Sequence, residues 1–148
     1  MSEVILDSAT FVDLERAVRH PGAEWAVNSI RHALIYRSEV GKPFMSVVSV
    51  MEIMHGLLRD PIRSKATEFK QSASYNYQLL ELSVEVAHLA SEINFQLEEL
   101  GRSIGLADTI IAATAVQHRL VLVTSNLRHF ERVSDVGFPL QMANWRLE

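Results

Sequence analysis

The sequence predicts an α/β fold, a three-layer α/β/α sandwich with a mostly parallel sheet of four to five strands. Two observations carry this prediction. Short apolar runs rich in β-branched residues recur along the chain, and stretches with helical spacing of apolar residues separate them. Strands that alternate with helices usually pair in parallel and are covered on both faces. Because no linker or repeat interrupts the 148 residues, we expect one domain spanning residues 1–148.

The first half of the chain opens with a predicted strand and two helices. Val4–Leu6 is a short apolar run, typical of a buried strand. Ser8 is placed to cap a helix that ends near residue 19, before a His-Pro-Gly stop. Residues 23–39 carry apolar residues at helical spacing, which predicts a second helix. We then expect a strand at residues 44–48, helices at residues 49–59 and from residue 61 to the low seventies, and a strand at residues 79–82.

The second half contains the clearest helix and the clearest strand. Residues 84–100 place their apolar residues on one stripe, with Ser83 as the predicted cap. Residues 106–118 predict another helix, which leads into the apolar strand at residues 120–123. A short helix and a last strand are predicted at residues 127–132 and 139–142.

The composition excludes several classes of function. With no cysteine, the chain has no disulfide framework, thiolate zinc site or cysteine nucleophile. We expect a cytoplasmic protein with no membrane partner, because the N-terminal residues lack a secretory pattern and no apolar segment is long enough to span a bilayer. The formal net charge of −4 argues against a nucleic-acid binder that works by bulk charge. The segments 16–67 and 101–133 are nevertheless net basic, which is compatible with local contact with RNA.

Polar residues follow the predicted strands, where open parallel sheets place their functional groups. Asp7 follows the first strand, and Glu52 lies early in the helix after the second strand. Asp108 lies in the first turn of the helix that precedes the fourth strand. Thr124 and Asn126 follow that fourth strand. The sequence therefore predicts that three carboxylates and one amide meet at one rim of the sheet.

Each of these acids also has an ordinary structural explanation. The helix dipole favours acids in a first turn, which explains Glu52 and Asp108, and Asp7 could act only as a helix cap. Taken together, however, clustered carboxylates without a nearby lysine repel one another unless a cation holds them. Mg²⁺ or Mn²⁺ suits such an oxygen ligand set and activates water for attack on a phosphodiester.

Other catalytic schemes have weaker support in the sequence. No nucleotide-binding glycine loop, nucleophile elbow or paired-histidine zinc motif occurs. The six histidines show no zinc-like spacing. His55, three residues after Glu52, is the only histidine that we expect near the rim.

Four segments together carry a resemblance to a known family. VILDSATFVDL and SVVSVMEIMHGL hold the first two acids, and GRSIGLADTIIAATAVQHRLVLVTSNLRHFERV combines a loop glycine pair, the third acid, an alanine-rich helix and an apolar strand ending in Thr. PLQMANW supplies a last strand and a closing tryptophan. Over nearly the whole chain, this pattern resembles a PIN domain, specifically a VapC-type toxin of a type II toxin–antitoxin pair.

The resemblance implies a Mg²⁺- or Mn²⁺-dependent endoribonuclease that cleaves RNA, commonly at a tRNA or rRNA site. It also implies silencing by a cognate VapB-like antitoxin and assembly as a homodimer. Carried over by position, Asp7, Glu52 and Asp108 would be the metal ligands, with Asn126 as a fourth catalytic position.

Two positions depart from the family pattern. Asn126 stands where many PIN domains have a fourth acid, and Ala9 stands where the family often has Asn. These departures leave open an alternative function, a catalytically weak PIN-like module that binds RNA or a partner protein without cleavage. A third possibility, phosphate chemistry on a small molecule, is disfavoured because no nucleotide-binding glycine loop is present.

Four further residues are candidates for supporting roles. Ser8 and Thr124 are hydroxyls placed to hydrogen-bond the metal ligands. Arg102 and Arg128 flank the predicted site as candidate RNA phosphate contacts, and ordinary surface charge explains them equally well.

Overall fold

The protein, described by a computed structural model of residues 1–148, is built on a five-stranded sheet in which every pairing is parallel. The strand order is β3-β2-β1-β4-β5. The strands are β1 (Val4–Leu6), β2 (Phe44–Ser46), β3 (Gln78–Leu80), β4 (Val121–Val123) and β5 (Met142–Ala143). The predicted α/β class and the predicted parallel sheet are confirmed.

Seven helices connect and cover the strands. They are α1 (Ser8–Ala17), α2 (Glu24–Glu39), α3 (Val47–Leu58), α4 (Ser64–Asn76), α5 (Val84–Glu99), α6 (Leu106–His118) and α7 (Leu127–Asp135). Side chains cap several of them: Ser46 accepts from the Val48 amide at 3.1 Å, and Ser83 accepts from the Val86 amide at 3.1 Å. Since none of the helices combines the length and the apolar character that crossing a bilayer requires, the structure contains no candidate membrane span.

Several element boundaries differ from the sequence prediction. β2 ends at Ser46 rather than at residue 48, because the Ser46 side chain caps α3. The last strand is Met142–Ala143, not residues 139–142, since the Leu140 amide bonds to the Phe138 carbonyl at 2.9 Å in a turn. α4 begins at Ser64, three residues after the predicted start.

The sheet is buried on both faces, and β1 lies at its centre between β2 and β4. Ile5 packs into a cluster of fifteen buried residues formed largely with α5, α6 and α7. Val4 and Leu6 point the other way, into a cluster with Tyr36 and Trp145. Because burial on both faces fixes β1, the residue that follows it, Asp7, is held at the carboxyl edge of the sheet.

Candidate active site

Asp7 begins the site at the carboxyl end of β1. It is the N-cap of α1, and its Oδ1 accepts from the Thr10 amide at 2.8 Å. The Thr10 hydroxyl donates to the Val123 carbonyl at 2.9 Å, which ties the start of α1 to the end of β4. Asp7 is 5% exposed. It therefore caps α1 and also lies at the carboxyl edge of the sheet, where the sequence predicts it.

Glu52 is held by a hydrogen bond from Ser8, the residue that follows Asp7 in the chain. The Ser8 hydroxyl donates to Glu52 Oε1 at 2.7 Å, a contact that joins α1 to α3. Glu52 lies one turn and a half into α3, and its side chain is partly buried. The structure therefore brings Ser8 and Glu52 together, as the sequence predicts for a hydroxyl that orients a carboxylate.

Asp108 lies in the first turn of α6, whose start is fixed by Gly105. Gly105 has a φ of 92°, a conformation that favours glycine, and its carbonyl accepts from the Thr109 hydroxyl at 2.7 Å. The side chain of Asp108 is 34% exposed, and its Oδ2 lies 2.8 Å from His129 Nε2. The carboxylate is thus placed by the loop before α6 and by α7.

His129 is a site residue that the sequence reasoning missed. The expectation that His55 is the histidine near the rim is not met, because His55 is exposed and makes no hydrogen bond, whereas His129 contacts Asp108 directly. The available signal was the position of His129, three residues after Asn126 and one turn into the helix that follows β4. That position shares the sheet edge with the predicted acids.

The two aspartates carry charge that the fold does not neutralise with a lysine or arginine. Burial is the main cause that raises the pKa of Asp7, and the Thr124 and Thr10 hydrogen bonds offset part of that rise. Burial also raises the pKa of Asp108; His129 opposes this rise, and the negative charge of Asp7 adds to it. The charge of Asp7 thus reaches Asp108, which places the two carboxylates on the same side of the sheet edge.

The chemistry of this donor set fits a divalent cation. Asp7 and Asp108 supply hard carboxylate oxygens, and a bound cation would relieve their repulsion. The structure does not, however, bring Asp7, Glu52 and Asp108 together as one metal-binding group, since no cluster of three or more His, Cys, Asp and Glu side chains is arranged to hold a metal ion. Glu52 is instead engaged by Ser8.

The remaining predicted residues fall into two groups. Thr124 is fully buried and accepts from the Asn126 amide at 3.0 Å, which places it between Asp7 and α7. The Asn126 side chain is exposed, and no hydrogen bond joins it to an acid. Arg102 forms an exposed ion pair with Asp135 at 3.2 Å, and Arg128 is exposed without an ion pair.

A groove of about 810 Å³ begins beside the site. Ser8 and Glu52 lie at one end, and the groove continues between α1, α3 and α4 past Arg16, Arg19 and Lys65. Its volume lies in the range of ordinary ligand pockets. Of the predicted acids only Glu52 lines this groove, so the groove adjoins the aspartates without including them.

Comparison with known proteins identifies the family. The family model described as PIN domain matches residues 4–136. The chain belongs to the PIN domain family. In this PIN domain, the three predicted acids Asp7, Glu52 and Asp108 all lie within the matched residues.

Curated relatives of this PIN domain are VapC proteins. The chain is 29% identical over 96 residues to the tRNA(fMet)-specific endonuclease VapC of Shigella flexneri, covering 65% of this chain and 73% of the relative. It is 28% identical over 102 residues to ribonuclease VapC1 of Methanocaldococcus jannaschii, covering 69% and 72% of the two chains. The resemblance to VapC toxins that the motifs predicted is confirmed.

Solved structures share the fold of this PIN domain. A chain of DNA-bound VapBC from Salmonella typhimurium matches with a TM-score of 0.76 and 23% identity, covering 98% of this chain and 99% of that one. A chain of FitAcB from Neisseria gonorrhoeae matches with a TM-score of 0.72 and 21% identity, covering 96% and 97%. The parallel sheet and its flanking helices are therefore a fold that this chain shares with these solved structures.

Proposed function

We propose that this PIN domain, acting as one unit over residues 1–148, is a VapC-type toxin: a metal-dependent endoribonuclease that cleaves RNA and is neutralised by a VapB-like antitoxin. The observation that carries the proposal is the pair of carboxylates, Asp7 and Asp108, at the carboxyl edge of the sheet, neither of which pairs with a lysine or arginine. The names of the relatives, ribonuclease VapC1 and tRNA(fMet)-specific endonuclease VapC, support the reaction class, and the second supports tRNA as substrate. A site in rRNA is the other substrate that the family resemblance implies.

Asp7 and Asp108 would hold Mg²⁺ or Mn²⁺, with Glu52 reaching the ion directly or through water. The bound ion supplies activation of water and neutralisation of charge on the phosphodiester. Ser8 orients Glu52 through its hydroxyl, and the buried Thr124 hydroxyl supports Asp7. These hydrogen bonds keep the acidic side chains in place before the cation and the RNA arrive.

Contacts with RNA are expected from residues around the acids. Arg128, exposed on the first turn of α7, is free to meet a phosphate, whereas Arg102 must leave Asp135 to do so. Asn126, at the start of α7, takes the fourth catalytic position and offers an amide rather than a charge. Binding of a VapB-like antitoxin is part of the same proposal, supported by solved structures described as VapBC. Assembly as a homodimer is also part of it and follows from the family resemblance.

Mapping of RNA cleavage tests the proposal. Wild-type protein, Asp108→Asn and Glu92→Gln are incubated with tRNA and rRNA, with Mn²⁺ or with chelator. Glu92→Gln is the matched control, because it removes one exposed acid of α5 that lies outside the acidic site and pairs with no proposed RNA contact. We expect discrete cleavage by wild type and the control with Mn²⁺, and none by Asp108→Asn or in chelator.

The same experiment separates the alternative function. RNA binding that persists in chelator, with no cleavage by wild type under any condition, would instead favour a binding module that does not cut. Expression of the wild type in cells should arrest growth, and Asp108→Asn should relieve the arrest. Equal behaviour of the two proteins in both assays would overturn the proposed activity.

A further inference from the structure

Three side-chain hydrogen bonds join α7 to three successive residues of the loop at residues 102–105. His129 Nε2 lies 3.1 Å from the Ile104 carbonyl, and Arg132 donates to the Ser103 carbonyl at 3.2 Å. Arg102 donates to Asp135 at 3.2 Å. Positions 129, 132 and 135 lie three residues apart, so one face of α7 meets three successive loop residues. This loop leads directly into α6 and Asp108.

His129 differs from the other two contacts because its Nε2 also reaches the active-site acid. The same nitrogen lies 2.8 Å from Asp108 Oδ2. The Ile104 carbonyl can only accept a hydrogen bond, so Nε2 carries a hydrogen and donates to the carbonyl and to Asp108. The assignment of this proton follows from the two partners and needs no assumption about the charge of the imidazole.

The hydrogen bond from His129 makes the two carboxylate oxygens of Asp108 inequivalent. Oδ2 accepts from His129, whereas Oδ1 accepts no hydrogen bond from the protein. His129 is itself held, because it packs edge-on against Phe130 at a ring distance of 5.3 Å and bonds to the Ile104 carbonyl. A fixed donor on one oxygen restricts rotation of the carboxylate and determines which oxygen stays available.

We propose that His129 is a positioning residue that fixes the Asp108 carboxylate and keeps Oδ1 available for the divalent cation. This inference rests on the proposed function, in which Asp108 is a metal ligand. Groups that hydrogen-bond a metal ligand typically contribute about 10- to 100-fold to metal affinity or activity. His129 therefore acts through Asp108 and has no direct part in the reaction.

The test compares three variants that separate positioning from simple support of the loop. His129→Phe keeps a planar ring but removes the donor, and His129→Gln keeps an amide N–H at a similar reach. Arg132→Ala is the control, because it removes a neighbouring contact between α7 and the loop without touching Asp108. Free Mn²⁺ is measured by electron paramagnetic resonance during titration of metal-free protein, and RNA cleavage gives kcat and KM for each protein.

We expect His129→Phe to weaken Mn²⁺ binding by about 10-fold or more, and to lower kcat for RNA cleavage with KM little changed. His129→Gln should recover most of both losses, and Arg132→Ala should bind Mn²⁺ like the wild type. Equal Mn²⁺ affinity in wild type and His129→Phe would overturn the proposal, as would an equal loss in Arg132→Ala, which would indicate loop support alone.

The two readouts also distinguish this inference from the proposed function. If the wild type binds Mn²⁺ and His129→Phe does not, but neither cleaves RNA, the positioning role stands and the ribonuclease assignment is wrong. If the wild type cleaves RNA and the three variants match it in Mn²⁺ affinity, the assignment stands and the positioning role is wrong.

Discussion

Two buried aspartates lie on α1, Asp7 at its N-cap and Asp13 within the helix, and only Asp13 has a cationic partner in the chain. Asp7 and Asp13 are each 5% exposed. Asp13 receives two hydrogen bonds from Arg146, at 2.6 and 2.7 Å, and the guanidinium lies over the Trp25 ring at 5.2 Å. Asp7 receives a backbone cap from Thr10 and no cation, and burial raises its pKa.

The difference separates a structural charge from a functional one. The Asp13–Arg146 pair is completed within the chain and fastens the C-terminal residues to α1, with the Asn28 amide also donating to the Arg146 carbonyl at 2.9 Å. Asp7 is buried to nearly the same extent but is incomplete by itself, because a buried carboxylate needs a positive partner. Asp7, a buried acid without a charged partner in the chain, is therefore the group that the proposed cation would complete.

The largest effect that this comparison predicts is that of Asp7→Asn on RNA cleavage. Removing a metal ligand should lower cleavage by at least about 100-fold, the upper range for groups that merely support a ligand. The unfolding free energy should stay equal or rise, because asparagine still caps α1 and no buried charge remains. Cleavage assays and urea unfolding of the same preparation check both parts.

A lower unfolding free energy for Asp7→Asn would contradict the distinction between the two aspartates. It would show that the Asp7 charge stabilises the fold as the Asp13 charge does. Ser74→Ala, an exposed change in α4 away from the acids, serves as the control for handling and purity.

The second prediction is the reverse outcome for Asp13→Asn. Breaking the bidentate pair should lower the unfolding free energy by about 2 kcal/mol, because Arg146 then lacks its charged partner. Cleavage per folded molecule should stay within about twofold of the wild type, since Asp13 is not a proposed ligand. Urea unfolding measures the first quantity, and initial cleavage rates well below the unfolding transition measure the second.

Combining Asp13→Asn with Arg146→Met sharpens this prediction. If the pair is the source of the effect, the double variant should recover part of the stability lost by Asp13→Asn, because no uncompensated guanidinium remains. Additive losses in the double variant would contradict the assignment.

The smallest predicted effect concerns Tyr77, a buried group that is neutral at ordinary pH. Burial raises the pKa of Tyr77 from 10.0 to about 12. The folded protein therefore keeps this proton while the unfolded chain loses it, so stability falls as pH rises from the lower value towards the higher one. We expect a loss of about 1 kcal/mol between about pH 10 and about pH 11 that is absent in Tyr77→Phe. An identical alkaline decline in both proteins would show that Tyr77 does not titrate as the structure indicates.

Much of this molecule is predictable because the signals are local. The apolar runs at Val4–Leu6 and Val121–Val123 indicate buried strands, and Asp7 follows the first of them directly. In a parallel sheet the strands all end at the same edge, so residues that follow the strands lie there. Asp7 and Asp108 could therefore be assigned to one edge from the sequence. Ser8 could be predicted as a supporting hydroxyl because it directly follows Asp7 in the sequence.

The contacts that the sequence did not reveal join residues far apart in the chain. His129 bonds to Asp108 because α7 packs on the loop at residues 102–105, and no local pattern encodes that packing. The pairing of Asp13 with Arg146 spans 133 residues, so its partner cannot be read from either segment. Strand ends were displaced for a simpler reason, since capping and turns at Ser46 and Leu140 outweigh the apolar pattern.

The central place of β1 has a consequence for when the acidic site is completed during synthesis of the chain. β1 pairs along its whole length with β4, and the Thr10 hydroxyl bonds to a carbonyl 113 residues later. While a ribosome is still making the chain, Asp7 has already emerged but β4 has not. The edge of the sheet that holds Asp7 is therefore completed only after β4 has been synthesised, because its closing pairing joins residues more than 100 positions apart.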